Sequence, residues 1–273
     1  MTNAELLLRA WDVDAFTVVL CGAACAAYVV THRGRFGRAA FFAAAMAVLF
    51  ITLASPIAVL SRGYLFSAHM LQHLLLLLVV PPLALLGISL RTGATNRPHA
   101  RPLARWLLGA GAMWIWHVPV LCNAAAEFAM VQRLQTLSLL AMGAAFWWPV
   151  VSPRASQRLA PFPAMVYLFT SCAACTVLGI MVTFSPVQVC SAYAQPLSSP
   201  LASLAGAPVD ALAVSALVRD GWGMTPKNDQ EMGGLMMWVP ACLVYTVAIL
   251  ATLARYYREP EVPAVSEAKE VTP

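Results

Sequence analysis

Two histidines one helical turn apart, His69 and His73, interrupt an apolar run that reads SAHMLQHLLLLLVVPPLALLG. An imidazole in hydrocarbon costs free energy unless it has a partner, so ionisable residues in membrane segments are rare and usually functional. The four-residue spacing puts both rings on one helix face, about 5–6 Å apart at Cβ. A third histidine, His117, stands in a second apolar run, GAMWIWHVPVLCN. Uncharged imidazole is a common metal ligand, so three such rings at one depth would make a metal centre or a shared polar site. A single membrane histidine can equally bond a backbone carbonyl or a serine on a neighbouring helix. Whether the three meet decides between these readings.

The neighbouring side chains indicate which metal. Met70 adjoins His69, Met113 lies one turn from His117 on the same face, and Met236 lies near the start of the last apolar run. Thioether beside imidazole favours Cu(I), and neutral ligands take up a monovalent ion with little buried charge. The expected ligands are therefore His69, His73 and His117, with Met113 or Met70 as an extra. Most of the 12 methionines in a chain this apolar serve as packing filler. Asp229 and Asp14 stand at the entrances of two apolar runs, as accessory groups or as caps on the unpaired amides of helix N-termini. His32 and His99 sit among arginines and are expected to take no part.

Rival chemistries make different demands. A zinc protease with histidines at i and i+4 needs a glutamate beside the first as general base, and Met70 occupies that place. A haem carrier needs axial histidines facing one another; His73 with His117 could supply one such pair, but no second pair continues towards the other side. A copper transporter needs a ligand path through the membrane, which only Cys172 and Cys175 could continue. That pair lies mid-segment in SCAACTVLG, where apolar burial works against a redox dithiol and small residues favour close helix packing. Cys21 and Cys25 are one turn apart in the first apolar run.

The elements that must position these residues follow from composition. The chain is 60% hydrophobic and 11% charged over 273 residues, whereas a soluble domain carries about 25% charge. At about 20 apolar residues per crossing, seven segments can span, at roughly 13–31, 39–60, 65–88, 105–122, 133–151, 162–184 and 231–254. The first is not read as a cleaved signal, because Glu5, Asp12 and Asp14 flank it beside a single Arg9 where a signal needs a basic flank. Of the 17 Lys and Arg, twelve fall in one set of connections (Arg33 to Arg38, Arg91 to Arg105, Arg154 to Arg158, Arg255 to Lys269) and five in the other. The positive-inside rule then puts the N-terminus outside and the C-terminus in the cytoplasm. The net charge of +5 resides mainly in these inner arginines, which speaks against nucleic-acid binding.

The expected architecture is an all-α polytopic membrane bundle, one domain over 1–258, with an external loop at about 185–230 and a disordered cytoplasmic tail at 259–273. The second half of the loop, VDALAVSALVRDGWGM, reads as a short interfacial helix. Segment three enters from outside and segment four ends there, so His69, His73 and His117 all fall in the outer leaflet. Cys122 and Cys190 face the same, oxidising side and could form a disulfide.

The strings HMLQHLLLLLVVPPLALLG, Trp116-His117-x-Pro119, FWWP and DQEMGGLMMW together resemble the CtaG-type membrane proteins, bacterial seven-span assembly factors for cytochrome c oxidase. The resemblance runs from about segment two to segment seven; the external loop and the tail carry no match. It implies a non-enzymatic role in the bacterial plasma membrane in making active haem–copper oxidase, by supplying copper to it. Oxidase subunits, a copper chaperone and membrane lipid are the implied partners. It does not supply the ligands, which rest on the residues alone.

Overall fold

The computed structural model describes residues 1–31, 37–88, 101–194 and 209–258. The expectations for His32, His99 and the tail from 259 fall outside these residues. All regular structure among the described residues is helical. Helices α1 (Asn3–Arg9), α2 (Ala15–Thr31), α3 (Ala39–Ala54) and α4 (Pro56–Ser61) precede the histidine helix α5 (Phe66–Leu74). A wide π turn, Leu75–Val79, joins α5 to α6 (Val80–Gly87). Then follow α7 (Pro102–Trp116), α8 (Pro119–Glu127), α9 (Ala129–Val151), α10 (Pro161–Thr183), α11 (Ala211–Ala216) and α12 (Pro226–Arg258).

Each of the seven expected segments is helical, but not as seven straight spans. Four helical runs are long and apolar enough to cross a membrane: Phe66–Gly87, Ala129–Val151, Pro161–Thr183 and Pro226–Arg258. A fifth crossing needs α7 and α8 together, which meet at a 72° bend. α2 and α3 have 17 and 16 residues, or roughly 25 Å each at 1.5 Å per residue, against a hydrocarbon core of about 30 Å. Prolines set both breaks, because the residue before a proline is pushed out of the helical region. Ser55, before Pro56, is extended at φ −83° and ψ 177°, and ends α3 six residues short of the expected limit of 60. Val118, before Pro119, is extended at φ −62° and ψ 126°, and breaks the fourth segment beside His117.

Prolines also shape the helices they do not end. Pro81 has no N–H to give to the carbonyl of Leu77, four residues back, so the chain widens into the π turn just before it. The Val80 amide bonds Leu75 O across that turn, and Trp147 Nε1 of α9 donates to the freed Leu77 O at 3.2 Å. Gly143 makes this approach possible, since a Cβ there would lie 2.7 Å from Leu77 O. Pro149 frees Ala145 O in the same way, and Arg105 of α7 donates to it at 3.4 Å.

The two ends of the bundle differ in charge. At one end Arg105, Arg158 and Arg255 donate to the carbonyls of Ala145, Ser152, Val150 and Leu159. The histidine end carries the ion pairs Asp12–Arg62 and Asp14–Arg133. There α1 and α11, the latter within the stretch expected as an interfacial helix, build a separate apolar cluster of Leu6, Val59, Leu60, Tyr64, Val214 and Val218.

Candidate metal centre

The position of the histidines begins at the N-terminus of α5. Its first amides have no intrahelical acceptors, and no residue preceding them supplies a side-chain cap. Asp229, from the first turn of α12, does so instead. Its carboxylate accepts from Phe66 N at 2.7 Å, Ser67 N at 3.0 Å and Ser67 Oγ at 2.7 Å. The residue is 0% exposed, and a carboxylate buried there is stabilised by these amides and by the positive end of the helix dipole. Gln72, between the two histidines in sequence, ties down a flanking face of α5: Ser61 Oγ donates to its Oε1 at 3.1 Å, and its Nε2 donates to Thr52 O at 3.1 Å.

His69 and His73 project from the same face, ring centroids 4.2 Å apart. His117 joins them from the break between α7 and α8, its ring 5.5 Å from that of His73 and nearly perpendicular to it. All three are buried. The His117 amide turns to Trp114 O, three residues back, which leaves Met113 O to its own side chain at 2.5 Å from Nδ1. Nδ1–H therefore donates to a carbonyl and Nε2 carries the lone pair, the arrangement typical of a ligating histidine. That nitrogen faces Met70 Sδ at 2.9 Å. Neither atom has a hydrogen to place between them, so an imidazole lone pair and a thioether sulfur, both able to ligate a soft cation, lie in direct contact.

Neither ring nitrogen of His69 has a partner, and His73 has at most a weak hydrogen bond with Gln135. A buried polar atom left unmet costs about 1–3 kcal/mol, and native interiors rarely leave several such atoms together. Gln135 of α9 lies beside His73, and its buried Nε2 also lacks an acceptor. Among the described residues no group of three or more His, Cys, Asp or Glu side chains is arranged to hold a metal ion.

A short segment after α10 covers the histidines. The disulfide Cys122–Cys190 ties it to α8, and Asn123 Oδ1 accepts from Ala192 N at 2.9 Å. Tyr193 packs 5.6 Å from the His69 ring and donates its hydroxyl to Ser61 O at 2.7 Å. Burial, with the nearby Asp229 charge, holds its phenol well above the usual tyrosine range, so it stays a donor. Gln230 secures the same cover, accepting from Val189 N at 2.7 Å and donating to Val187 O at 3.1 Å. Gly233 lets α12 and α5 close up: a Cβ there would lie 2.5 Å from Phe66 Cδ1 and 3.2 Å from Met70 Cγ.

The expected residues thus divide. His69, His73, His117 and Met70 come together, and Met113 contributes through its carbonyl. Asp229 is a helix cap for α5 rather than for its own helix. Asp14 caps α2 through Thr17 N at 2.8 Å and pairs with Arg133, and Met236 packs against the apolar core. Sequence reasoning missed Tyr193, Gln72 and Gln135. Gln72 carried a signal, a lone amide in an apolar run, whereas Tyr193 reaches the site by tertiary folding alone.

No curated protein and no solved structure matches the chain. Residues 24–259 match the family model described as cytochrome c oxidase caa3 assembly factor. That stretch takes in every helix that builds the histidine cluster, and the chain belongs to this family of cytochrome c oxidase assembly factors.

Proposed function

We propose that this assembly factor acts by holding Cu(I) at His69, His73, His117 and Met70 and passing it to the oxidase, with copper as cargo and no bond-making chemistry of its own. The observation that carries the reading is the meeting of three buried imidazoles, His69, His73 and His117, beside an imidazole–thioether contact on His117. Imidazole and thioether are soft enough to select Cu(I) over the harder divalent ions. The Nδ1–H bond to Met113 O orients the His117 ring as a ligand, and Asp229 fixes the helix that carries the other two.

In this reading the chain crosses the bacterial plasma membrane seven times, α2 and α3 included, with the N-terminus outside. The arginine-rich end then faces the cytoplasm, and the cluster lies in the outer leaflet, where a copper chaperone and the oxidase subunits can reach it. The disulfide Cys122–Cys190 suits that oxidising side.

The test has two readouts. Copper analysis of the purified full-length protein should find one Cu(I) that is lost on replacing the three histidines by alanine. In cells, H73A should lower haem–copper oxidase activity at unchanged levels of the inserted protein, and excess copper in the medium should partly restore it. Normal oxidase activity in the triple variant would rule out copper delivery by this cluster.

A further inference from the structure

Arginines from three elements gather at the end of the bundle remote from the histidines. Arg105 of α7 donates to Ala145 O at 3.4 Å and lies 5.8 Å over the Trp148 ring. Arg255 of α12 donates to Val150 O at 3.5 Å and to Leu159 O at 3.3 Å. Arg158, on the connection between α9 and α10, donates to Ser152 O at 2.6 Å. That connection is itself tied down: Trp148 Nε1 donates to Gln157 Oε1 at 2.9 Å, and Leu159 N donates to Pro149 O at 2.8 Å. The guanidinium groups are thus fixed to one short stretch of chain, from Ala145 to Leu159.

Every one of these acceptors is neutral. Among the described residues the ion pairs are Asp12–Arg62, Asp14–Arg133 and Lys227–Glu231, and none involves an arginine of this corner. A carbonyl takes one N–H of a guanidinium but none of its charge. Arg154 goes further. Its amide donates to Ser152 Oγ at 3.2 Å, but its Nε is shut off from solvent and meets no acceptor. A buried donor left unmet costs free energy, and more when it is charged. The surroundings are those of a membrane surface: Leu103, Phe162, Tyr256 and Tyr257 are exposed nearby in sequence, and tyrosines mark the level of the headgroups.

We propose that this corner binds anionic phospholipid, with Arg154 donating to the phosphodiester and Arg105, Arg158 and Arg255 supplying the surrounding positive charge. The planar fork of a guanidinium matches the oxygens of a phosphate, and basic pockets between helices at a membrane surface take such headgroups. A guanidinium already fixed by a carbonyl has given up its rotamer freedom, so binding orders it little further. Exposed Leu107 of α7 and Val166 of α10 lie further along the same helices, where the acyl chains run. A zwitterionic headgroup carries an ammonium that these arginines repel, which is why the class is anionic. The site takes no part in copper binding and does not depend on it.

The experiment compares thermal melting of the full-length protein in nanodiscs of phosphatidylcholine alone and of phosphatidylcholine mixed with phosphatidylglycerol. A lipid that binds only the folded state raises its melting temperature, so the wild type should melt several degrees higher with phosphatidylglycerol. R154Q should melt like the wild type in phosphatidylcholine, because the Arg154 Nε holds no other group, and should lose most of the phosphatidylglycerol shift. R255Q gives up two carbonyl bonds and should start lower, but its shift, taken from its own phosphatidylcholine value, should shrink as well. R38Q removes an equal charge from the exposed residue before α3 and should keep the full shift. Inorganic phosphate added to the phosphatidylcholine discs should not reproduce it. Equal melting of the wild type in the two lipids, a full shift in R154Q or R255Q, an equal loss in R38Q, a drop of R154Q in phosphatidylcholine alone, or a shift with inorganic phosphate would each overturn the proposal.

Discussion

Asp229 and Ser67 are 162 residues apart in sequence, and the Asp229 carboxylate holds both the amide and the hydroxyl of Ser67. This contact joins the DQEMGG string to the HMLQH string. It makes α12 the anchor of the histidine helix, and the rest of the string continues the work. Gln230 pins the covering segment, Gly233 admits Phe66, and Gly234 admits α10, since a Cβ at Gly234 would lie 2.7 Å from Thr183 N.

Removing that anchor should loosen α5 before it unfolds the bundle. D229A leaves two amides and a hydroxyl buried without an acceptor, a cost of about 2–4 kcal/mol in total, given about 1–3 for each buried group and partial relaxation. The amides of Phe66 and Ser67 should then exchange hydrogen much faster, with those of α10 unaffected. D229N keeps one acceptor oxygen and should lose less. Unchanged exchange at Phe66 and Ser67 in D229A would show that the cap is not what holds the helix.

Met70 offers a way to separate binding from packing. M70L keeps nearly the same volume, and such exchanges usually cost less than about 1.5 kcal/mol in a core. The protein should therefore insert and melt almost as before. It should hold Cu(I) at least tenfold more weakly, about 1.4 kcal/mol, because the thioether facing His117 Nε2 is gone. Chelator competition reads the affinity, and an unaltered affinity would remove Met70 from the ligand set.

The π turn below His73 rests on a three-way arrangement of Pro81, Leu77 and Trp147. W147F should destabilise the protein by about 1–3 kcal/mol, because Leu77 O loses its donor. P81A supplies a backbone N–H to the same carbonyl, so the double variant should be less destabilised than W147F alone plus P81A alone. A double-mutant cycle in thermal melts measures this coupling. Strict additivity would mean that Pro81 and Trp147 do not share Leu77 O.

Much of the candidate site was legible because its parts were written locally. The spacing of His69 and His73 fixed a shared face, and the alternation of segments brought His117 to the same end. The same sequence also announced both helix breaks, through Pro56 and Pro119, but apolar content alone ran the segments straight past them. Other features had no local signature. Asp229 looked like the cap of its own helix, the commonest use of an acidic first-turn residue, and its true partner lies on another element. Tyr193 reaches its neighbours only through folding. Gln72 shows the intermediate case, a residue whose polarity flagged it but whose partners, Ser61 and Thr52, belong to a helix end and a carbonyl that sequence does not reveal.

The number of crossings is open to a direct test because α2 and α3 are short. Seven crossings require Gly37, between these helices, to lie on the arginine-rich side with Arg101, Arg154 and Arg258, and require Thr2, Phe128 and Asp210 to lie on the other side. Single cysteines at these positions, in a chain lacking its five free cysteines, can be labelled in intact cells with a membrane-impermeant thiol reagent. Thr2, Phe128 and Asp210 should label, and Gly37, Arg101, Arg154 and Arg258 only after permeabilisation. A helix of 16 residues can still cross where the bilayer thins, at a fraction of a kcal/mol per Å of mismatch, so shortness alone does not forbid the seven-span arrangement. Labelling of Gly37 from outside would mean that α2 and α3 do not each cross, leaving five spans at most. If Arg101 also labelled from outside, the histidine cluster would lie on the cytoplasmic side and copper delivery at the outer face would be untenable.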